Sequence, residues 1–110
     1  MNRKEAIAEY KNRKTRRGTF AVRFADHGPA WVDSTPDLDA MRNRTLGELR
    51  SGAHRNKELQ TEWNAHGESA FRYEVLETLE DDLATLVWRD QLKDKKKEWQ
   101  ARLGARPLYP

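Results

Sequence analysis

The feature that most constrains the fold is a pair of short apolar segments joined by a turn. Over residues 19–25, Phe20, Val22 and Phe24 alternate with small or polar residues, the period-2 pattern of a strand with one buried face. Residues 26–29 read Asp-His-Gly-Pro, in which glycine tolerates positive φ and proline fixes φ near a turn value. We therefore predict a β-hairpin whose second strand covers residues 30–34.

Helical periodicity and end signals predict the elements that follow. Ser34 and Thr35 are hydroxyl N-caps placed before Pro36, and Asn56 is the N-cap of a later helix that stops at Gly67. The remaining predicted elements are helices over residues 2–14, 36–51, 57–66 and 81–103 and a third strand over residues 71–77. This order predicts an α/β (α+β) domain with a three-stranded, mainly antiparallel sheet flanked by helices.

Two tripeptides and a longer downstream block form a set of short motifs on these elements. The tripeptides are residues 18–20 (Gly-Thr-Phe) and 31–33 (Trp-Val-Asp). Residues 56–77 then carry, in order, an Asn, a Leu-Gln pair, a Trp, a Gly and a Phe-x-Tyr-Glu-Val-Leu-Glu strand. This set resembles the two signature tripeptides and the downstream block of small stand-alone bacterial members of the GIY-YIG nuclease superfamily. The resemblance covers residues 18–103 and implies a ββααβα core over residues 18–104. Residues 1–17 would add a basic N-terminal helix, and residues 105–110 a C-terminal tail.

The resemblance also implies metal-assisted phosphodiester hydrolysis, in which a tyrosine helps to activate water and a late glutamate holds a divalent cation. Phe20 and Trp31 occupy the two tyrosine positions, and neither side chain can act as a general base. Asp33 replaces the glycine of the second tripeptide. These three residues and Arg44 are the candidate catalytic positions, although the tyrosine hydroxyls are lost.

The resemblance places a phosphate-binding arginine on the helix after the hairpin. Arg44, in an Asn-Arg pair, is our first choice and Arg42 the second, because a planar guanidinium binds phosphate bidentately. No acidic residue matches the metal-binding glutamate, so the metal site is unassigned, and Mg²⁺ or Mn²⁺ would be needed only by an active enzyme. Acidic residues share one face of the last helix at four-residue spacing, which is more typical of a solvated surface than of a cation site: Asp90, Asp94 and Glu98.

Charge is concentrated near the start of the chain. The protein has 21 Lys and Arg against 18 Asp and Glu, but residues 3–17 are strongly basic, and basic clusters can bind phosphate backbones. The candidate nucleic-acid contacts are Arg13, Lys14, Arg16, Arg17, Arg42 and Arg44. We interpret the second basic run, residues 93–97, as a solvated helix surface.

The remaining histidines and tryptophans are assigned by spacing. The three histidines lack metal-ligand spacing and are interpreted as surface or loop residues: His27, His54 and His66. Trp63 and Trp99 fit apolar helical faces and are predicted to be core. Trp31, by contrast, replaces a family tyrosine and is expected to face an open site.

Composition restricts the function classes. The chain has no cysteine and no apolar run near the ~18 residues of a membrane helix, and its first residues show no signal peptide. We predict a cytoplasmic, bacterial-type pseudoenzyme that binds nucleic acid, with DNA favoured over RNA. Two alternatives remain open: an active metal-dependent endonuclease that uses Asp33, Glu74 or Asp90, and a module that binds a protein partner.

Overall fold

The computed structural model describes residues 16–25, 28–79 and 85–109, with the backbone alone at residues 85 and 86. The predicted N-terminal helix, the turn residues Asp26 and His27, and Asp81 and Asp82 at the start of the final helix lie outside the described residues.

The predicted hairpin is present. Strands β1 (Gly18–Phe24) and β2 (Ala30–Thr35) pair antiparallel, with Ala21 opposite Val32. The Phe24 amide donates to the Pro29 carbonyl at 3.0 Å. The alternation in the sequence therefore placed this pair of strands correctly.

Two further strands complete a sheet of order β3-β1-β2-β4. Strand β3 (Phe71–Thr78) pairs antiparallel with β1, as predicted. A Cβ on Gly18 would lie 2.0 Å from the Glu77 carbonyl oxygen, so the close approach of β1 and β3 requires glycine there. Strand β4 (Arg106–Pro107) pairs parallel to β2 and was not predicted, because two residues carry no periodicity.

Helix α1 spans Leu38–Ser51. Its N-cap is Asp37, whose carboxylate accepts a hydrogen bond from the Ala40 amide at 3.1 Å. The predicted hydroxyl N-cap is therefore wrong, since the Thr35 hydroxyl instead accepts from the amide of Asp37 itself, two residues further along the chain. Gly52 ends the helix in the left-handed conformation at φ 79°, as a C-terminal glycine commonly does.

Helices α2 (Lys57–His66) and α3 (Thr85–Leu103) complete the described helices. The predicted start of α2 is confirmed, because the Asn56 side chain accepts from the Leu59 amide at 3.0 Å. Gly67 follows its last residue, as predicted. Within the described residues, none of the helices combines the length and apolar character that crossing a bilayer requires.

The core lies between the sheet and the helices. Its buried cluster joins residues from β1, β2, α1, α2 and the segment after β4: Phe20, Val22, Trp31, Leu38, Leu49, Leu59, Trp63 and Leu108. Ala21 and Val32 alternate with these strand residues and are also fully buried. Helix α3 covers them, and the Gln100 side-chain amide donates to the Val32 carbonyl at 3.0 Å.

Candidate functional site

The first of the predicted catalytic positions, Phe20, is a core residue. Its side chain is fully buried in β1, and its ring stacks on Tyr73 with 5.1 Å between centroids and 21° between planes. A phenyl ring in this setting offers neither a hydroxyl nor an exposed face.

Trp31 is also buried, so the expectation that it faces an open site is wrong. Its exposed fraction is 1%, because it lies opposite Val22 on the sheet face that packs against α1 and α2. Its indole Nε1 donates to Glu58 Oε1 at 3.1 Å. An ion pair with Arg106 lowers the pKa of Glu58, and the hydrogen bond from Trp31 adds to this effect. A buried indole with a satisfied N–H is a structural residue.

The Asp33 carboxylate is occupied by backbone amides. Oδ1 accepts from the Ser34 amide at 2.8 Å, and Oδ2 accepts from the Tyr109 amide at 3.0 Å. The Lys96 ammonium lies 3.8 Å from Oδ1. Asp33 is 8% exposed, and its carboxylate connects β2 to the chain segment at Tyr109.

A segment from near the C-terminus, residues 106–109, lies against these positions; we call it the C-terminal strap. The Leu108 amide donates to the Val32 carbonyl at 3.3 Å, and the Leu108 side chain is fully buried. The Asn56 side-chain amide donates to the carbonyls of Pro107 and Leu108 at 3.2 and 2.9 Å. Leu108, which the sequence analysis assigned to a tail, is therefore a core residue, and Tyr109 packs against the core.

Tyr109, at the end of the strap, contacts side chains of α1 and of the loop that follows it. Its ring stacks on His54 at 5.1 Å, and the Arg44 guanidinium lies 5.6 Å from the ring centre. Its hydroxyl lies 3.3 Å from Thr45 Oγ1. Burial raises the pKa of Tyr109. The strap thus contacts Trp31, Asp33 and Arg44, three of the four predicted catalytic positions.

His54 lies in the loop between α1 and α2, one of the two predicted settings, but its side chain is buried and not at the surface. Its exposed fraction is 5%, and its Nδ1 accepts from the Asn56 amide at 3.0 Å. Burial lowers the pKa of His54. His66 lies at the surface beside Phe24, 4.5 Å between ring centroids.

The two candidate phosphate-binding arginines of α1 differ in their partners. Arg44 Nε pairs with Glu48 Oε1 at 2.9 Å, one turn along the helix. Arg42 is exposed, makes no ion pair within the described residues, and lines a cleft. The geometry therefore favours Arg42 over Arg44 as the arginine available to a ligand.

The candidate acids are dispersed. Glu74 pairs with Arg23 at 2.9 Å, and Glu98 pairs with Arg102 at 3.1 Å. Hydrogen bonds from Trp99 and from Lys95 lower the pKa of Glu77. Nowhere in residues 16–25, 28–79 and 85–109 do three acidic or histidine side chains form a group that could hold a metal ion.

Two of the basic candidates before β1 are described. Arg16 is exposed and pairs with Asp39 at 2.9 Å, and the Arg17 guanidinium lies 4.7 Å from the Trp88 ring centre. Arg13 and Lys14 lie outside the described residues. In the late basic run, residues 93–97, Lys95 forms an ion pair with Glu77 of β3 at 3.2 Å. This lysine therefore contacts the sheet.

A cleft of about 420 Å³ opens between α1, the 3₁₀ turn Glu68–Ala70 and β3. Its apolar lining comes from Val22, Leu46, Trp63, Phe71 and Tyr73, and its polar lining from Arg42, Arg50, Glu68, Ser69 and Arg72. The Tyr73 hydroxyl donates to the Leu38 carbonyl at 3.2 Å, and burial raises its pKa. The sequence analysis missed this cleft, since its lining residues come from five separate elements.

Comparison with known proteins supports the fold. No family model and no curated protein matches the chain. Among solved structures, the catalytic domain of the homing endonuclease I-TevI is 22% identical with a TM-score of 0.67, over 80% of this chain and 88% of that one. A mutant of the catalytic domain of intron endonuclease I-TevI is 21% identical with a TM-score of 0.66, over 81% and 84% of the two chains. I-TevI is a GIY-YIG homing endonuclease, and the fold of the present chain is GIY-YIG-like.

Proposed function

We propose that this chain binds nucleic acid, DNA in preference to RNA, on a nuclease-family scaffold that no longer cleaves phosphodiesters. The observation that carries the proposal is the burial of Phe20 and Trp31, the two residues that the sequence resemblance aligns with the family tyrosines. Hydrolysis requires a group that takes a proton from the attacking water and a charge that stabilises the phosphoryl oxygens. These two side chains supply neither.

Other residues of the site are poor substitutes. Burial raises the pKa of Tyr73 and of Tyr109, which moves both hydroxyls away from the range in which a general base works at neutral pH. The oxygens of Asp33 already accept backbone hydrogen bonds, and Glu74 is paired with Arg23. These contacts argue against an endonuclease with relocated chemistry.

The proposed binding surface centres on Arg42 and Arg16. Arg16 pairs with Asp39 of α1, and Arg42 follows Asp39 by three residues, a spacing that places two residues on the same helix face. Arg42 is exposed, and Arg16 could exchange Asp39 for a phosphate. We propose Arg13 and Lys14 of the basic N-terminal segment as further phosphate contacts because of their charge.

The test measures cleavage and binding on the same purified protein. Plasmid and single-stranded DNA should remain intact with Mg²⁺ or Mn²⁺. A fluorescein-labelled DNA should bind with an affinity that falls steeply as salt rises, and more tightly than RNA of the same sequence. Arg42→Ala should weaken binding and reduce the logarithmic salt slope by about one, whereas the exposed Arg55, which lies outside the cleft, provides the matched control Arg55→Ala.

Two results would overturn the proposal. Cleavage that disappears in Asp33→Ala or Arg44→Ala would establish the active endonuclease. Failure to bind DNA or RNA at low salt would leave the scaffold as a protein-interaction module.

A further inference from the structure

We propose that the cleft between α1 and β3 binds the base of an unpaired nucleotide within a single strand, while the arginines at its rim contact the flanking phosphates. This inference rests on the proposed function and specifies the form of nucleic acid. The cleft shares no residue with the strap or with Trp31, Asp33 and Arg44.

The floor of the cleft offers aromatic surface. Trp63, Phe71 and Tyr73 line it together, and the rings of Trp63 and Phe71 lie 5.3 Å apart at a tilt of 33°. Bases stack on aromatic side chains with little dependence on sequence, because every base has a π-face. The volume of about 420 Å³ lies within the range of roughly 300–1,000 Å³ that is usual for small-molecule sites.

The rim of the cleft is positively charged. Arg42, Arg50 and Arg72 line it, and Glu68 is the acidic residue among the lining side chains. Glu68 accepts two hydrogen bonds from Arg50, at 2.7 and 2.9 Å, so this pair is locally neutral. Arg42, which is exposed, then adds a positive charge to the rim. An apolar floor inside a basic rim complements a flat ring attached to phosphates better than it complements a neutral apolar ligand.

A paired base must leave the stack before it can enter this cleft, and that extrusion costs free energy. A single strand presents its bases without that cost. We therefore assign the cleft to single-stranded nucleic acid.

The experiment compares two labelled DNA single strands of equal length, one with bases and one with abasic sites, by fluorescence anisotropy. The two strands carry the same number of phosphates. Wild-type protein should bind the strand with bases about tenfold more tightly, as stacking of one base predicts. Ser69→Leu, which places a larger side chain at the rim, should remove this preference, whereas Ala53→Leu, at an exposed position outside the cleft, should retain it.

A second measurement reports on the cleft directly. The Trp63 indole resonance in a ¹⁵N–¹H spectrum should shift with the strand that carries bases and stay unchanged with the abasic strand. The Trp99 indole, which hydrogen-bonds to Glu77 outside the cleft, should stay unchanged with both strands.

The outcomes separate the two proposals. Equal affinity for both strands, or tighter binding of a duplex of the same sequence, would overturn the assignment of the cleft and leave the proposed function standing. Absence of binding to every probe would overturn both. Thymidine monophosphate that displaces the strand at equal concentration would identify a free nucleotide as the ligand and overturn the assignment to a strand.

Discussion

Replacement of Trp31 by alanine tests whether this residue, which the sequence analysis aligned with a family tyrosine, is part of the core. The indole is 1% exposed, against 6% for Trp63 in α2. Emptying a buried aromatic site costs about 3–5 kcal/mol, out of a total stability of about 5–15 kcal/mol. For a domain of this length, that loss should lower the Tm by roughly 12–20 °C. We expect Trp31→Ala to be at least as destabilising as Trp63→Ala, since it also removes the hydrogen bond to Glu58.

Urea unfolding followed by circular dichroism gives the free energy of unfolding of each variant. Trp31→Phe is the matched control, because it keeps an aromatic ring and loses the N–H donor, and it should cost about 1–2 kcal/mol. The reasoning fails if Trp31→Ala costs less than about 1 kcal/mol while Trp63→Ala costs about 3 kcal/mol or more. Trp31 would then lie in an open cleft, as the sequence analysis expected.

Two further predictions concern the strap and its surroundings. Leu108→Ala should lower the free energy of unfolding, measured with urea, by about 2–5 kcal/mol, since Leu108 is fully buried. A loss below about 0.5 kcal/mol is the level of a surface substitution and would show that the strap does not pack against the core. Burial holds the pKa of His54 below its ordinary value of 6.5, so the unfolded chain takes up the proton at a higher pH than the folded chain does. The contribution of neutral His54 to the free energy of unfolding should therefore be fully present above pH 6.5 and decrease as the pH falls below that value. His54→Gln should weaken the change in the free energy of unfolding between about pH 7.5 and 5.5. The same pH profile in His54→Gln as in wild type, or a weaker pH dependence in the exposed control His66→Gln, would contradict the assignment of this effect to His54.

Local signals in the sequence predicted most of the fold. Alternation placed the hairpin and β3, and Asn56 and Gly67 marked the ends of α2. The strap escaped prediction because its contacts are distant: the Tyr109 amide bonds to Asp33, 76 positions earlier in the chain. A segment of four residues carries neither a strand nor a helix period that could reveal such a contact.

For the candidate site, the sequence predicted the chemistry that each side chain can perform, but not its burial. The absence of hydroxyls at Phe20 and Trp31 can be seen in the sequence. The burial of Trp31 depends on α1, α2 and the strap, which are brought together by tertiary contacts. The pairing of Arg44 with Glu48 was visible as a spacing of four residues on a helix. That spacing could have shifted the choice of a ligand-binding arginine to Arg42.

The pairing of β4 with β2 also bears on association between molecules. Without the strap, β2 would be an edge strand, with the backbone groups of Trp31 and Val32 free to pair with a strand of another chain. The Val32 carbonyl instead accepts hydrogen bonds from the Leu108 amide and from the Gln100 side chain. The C-terminal strap therefore protects this apolar edge of the sheet from the intermolecular pairing that begins aggregation.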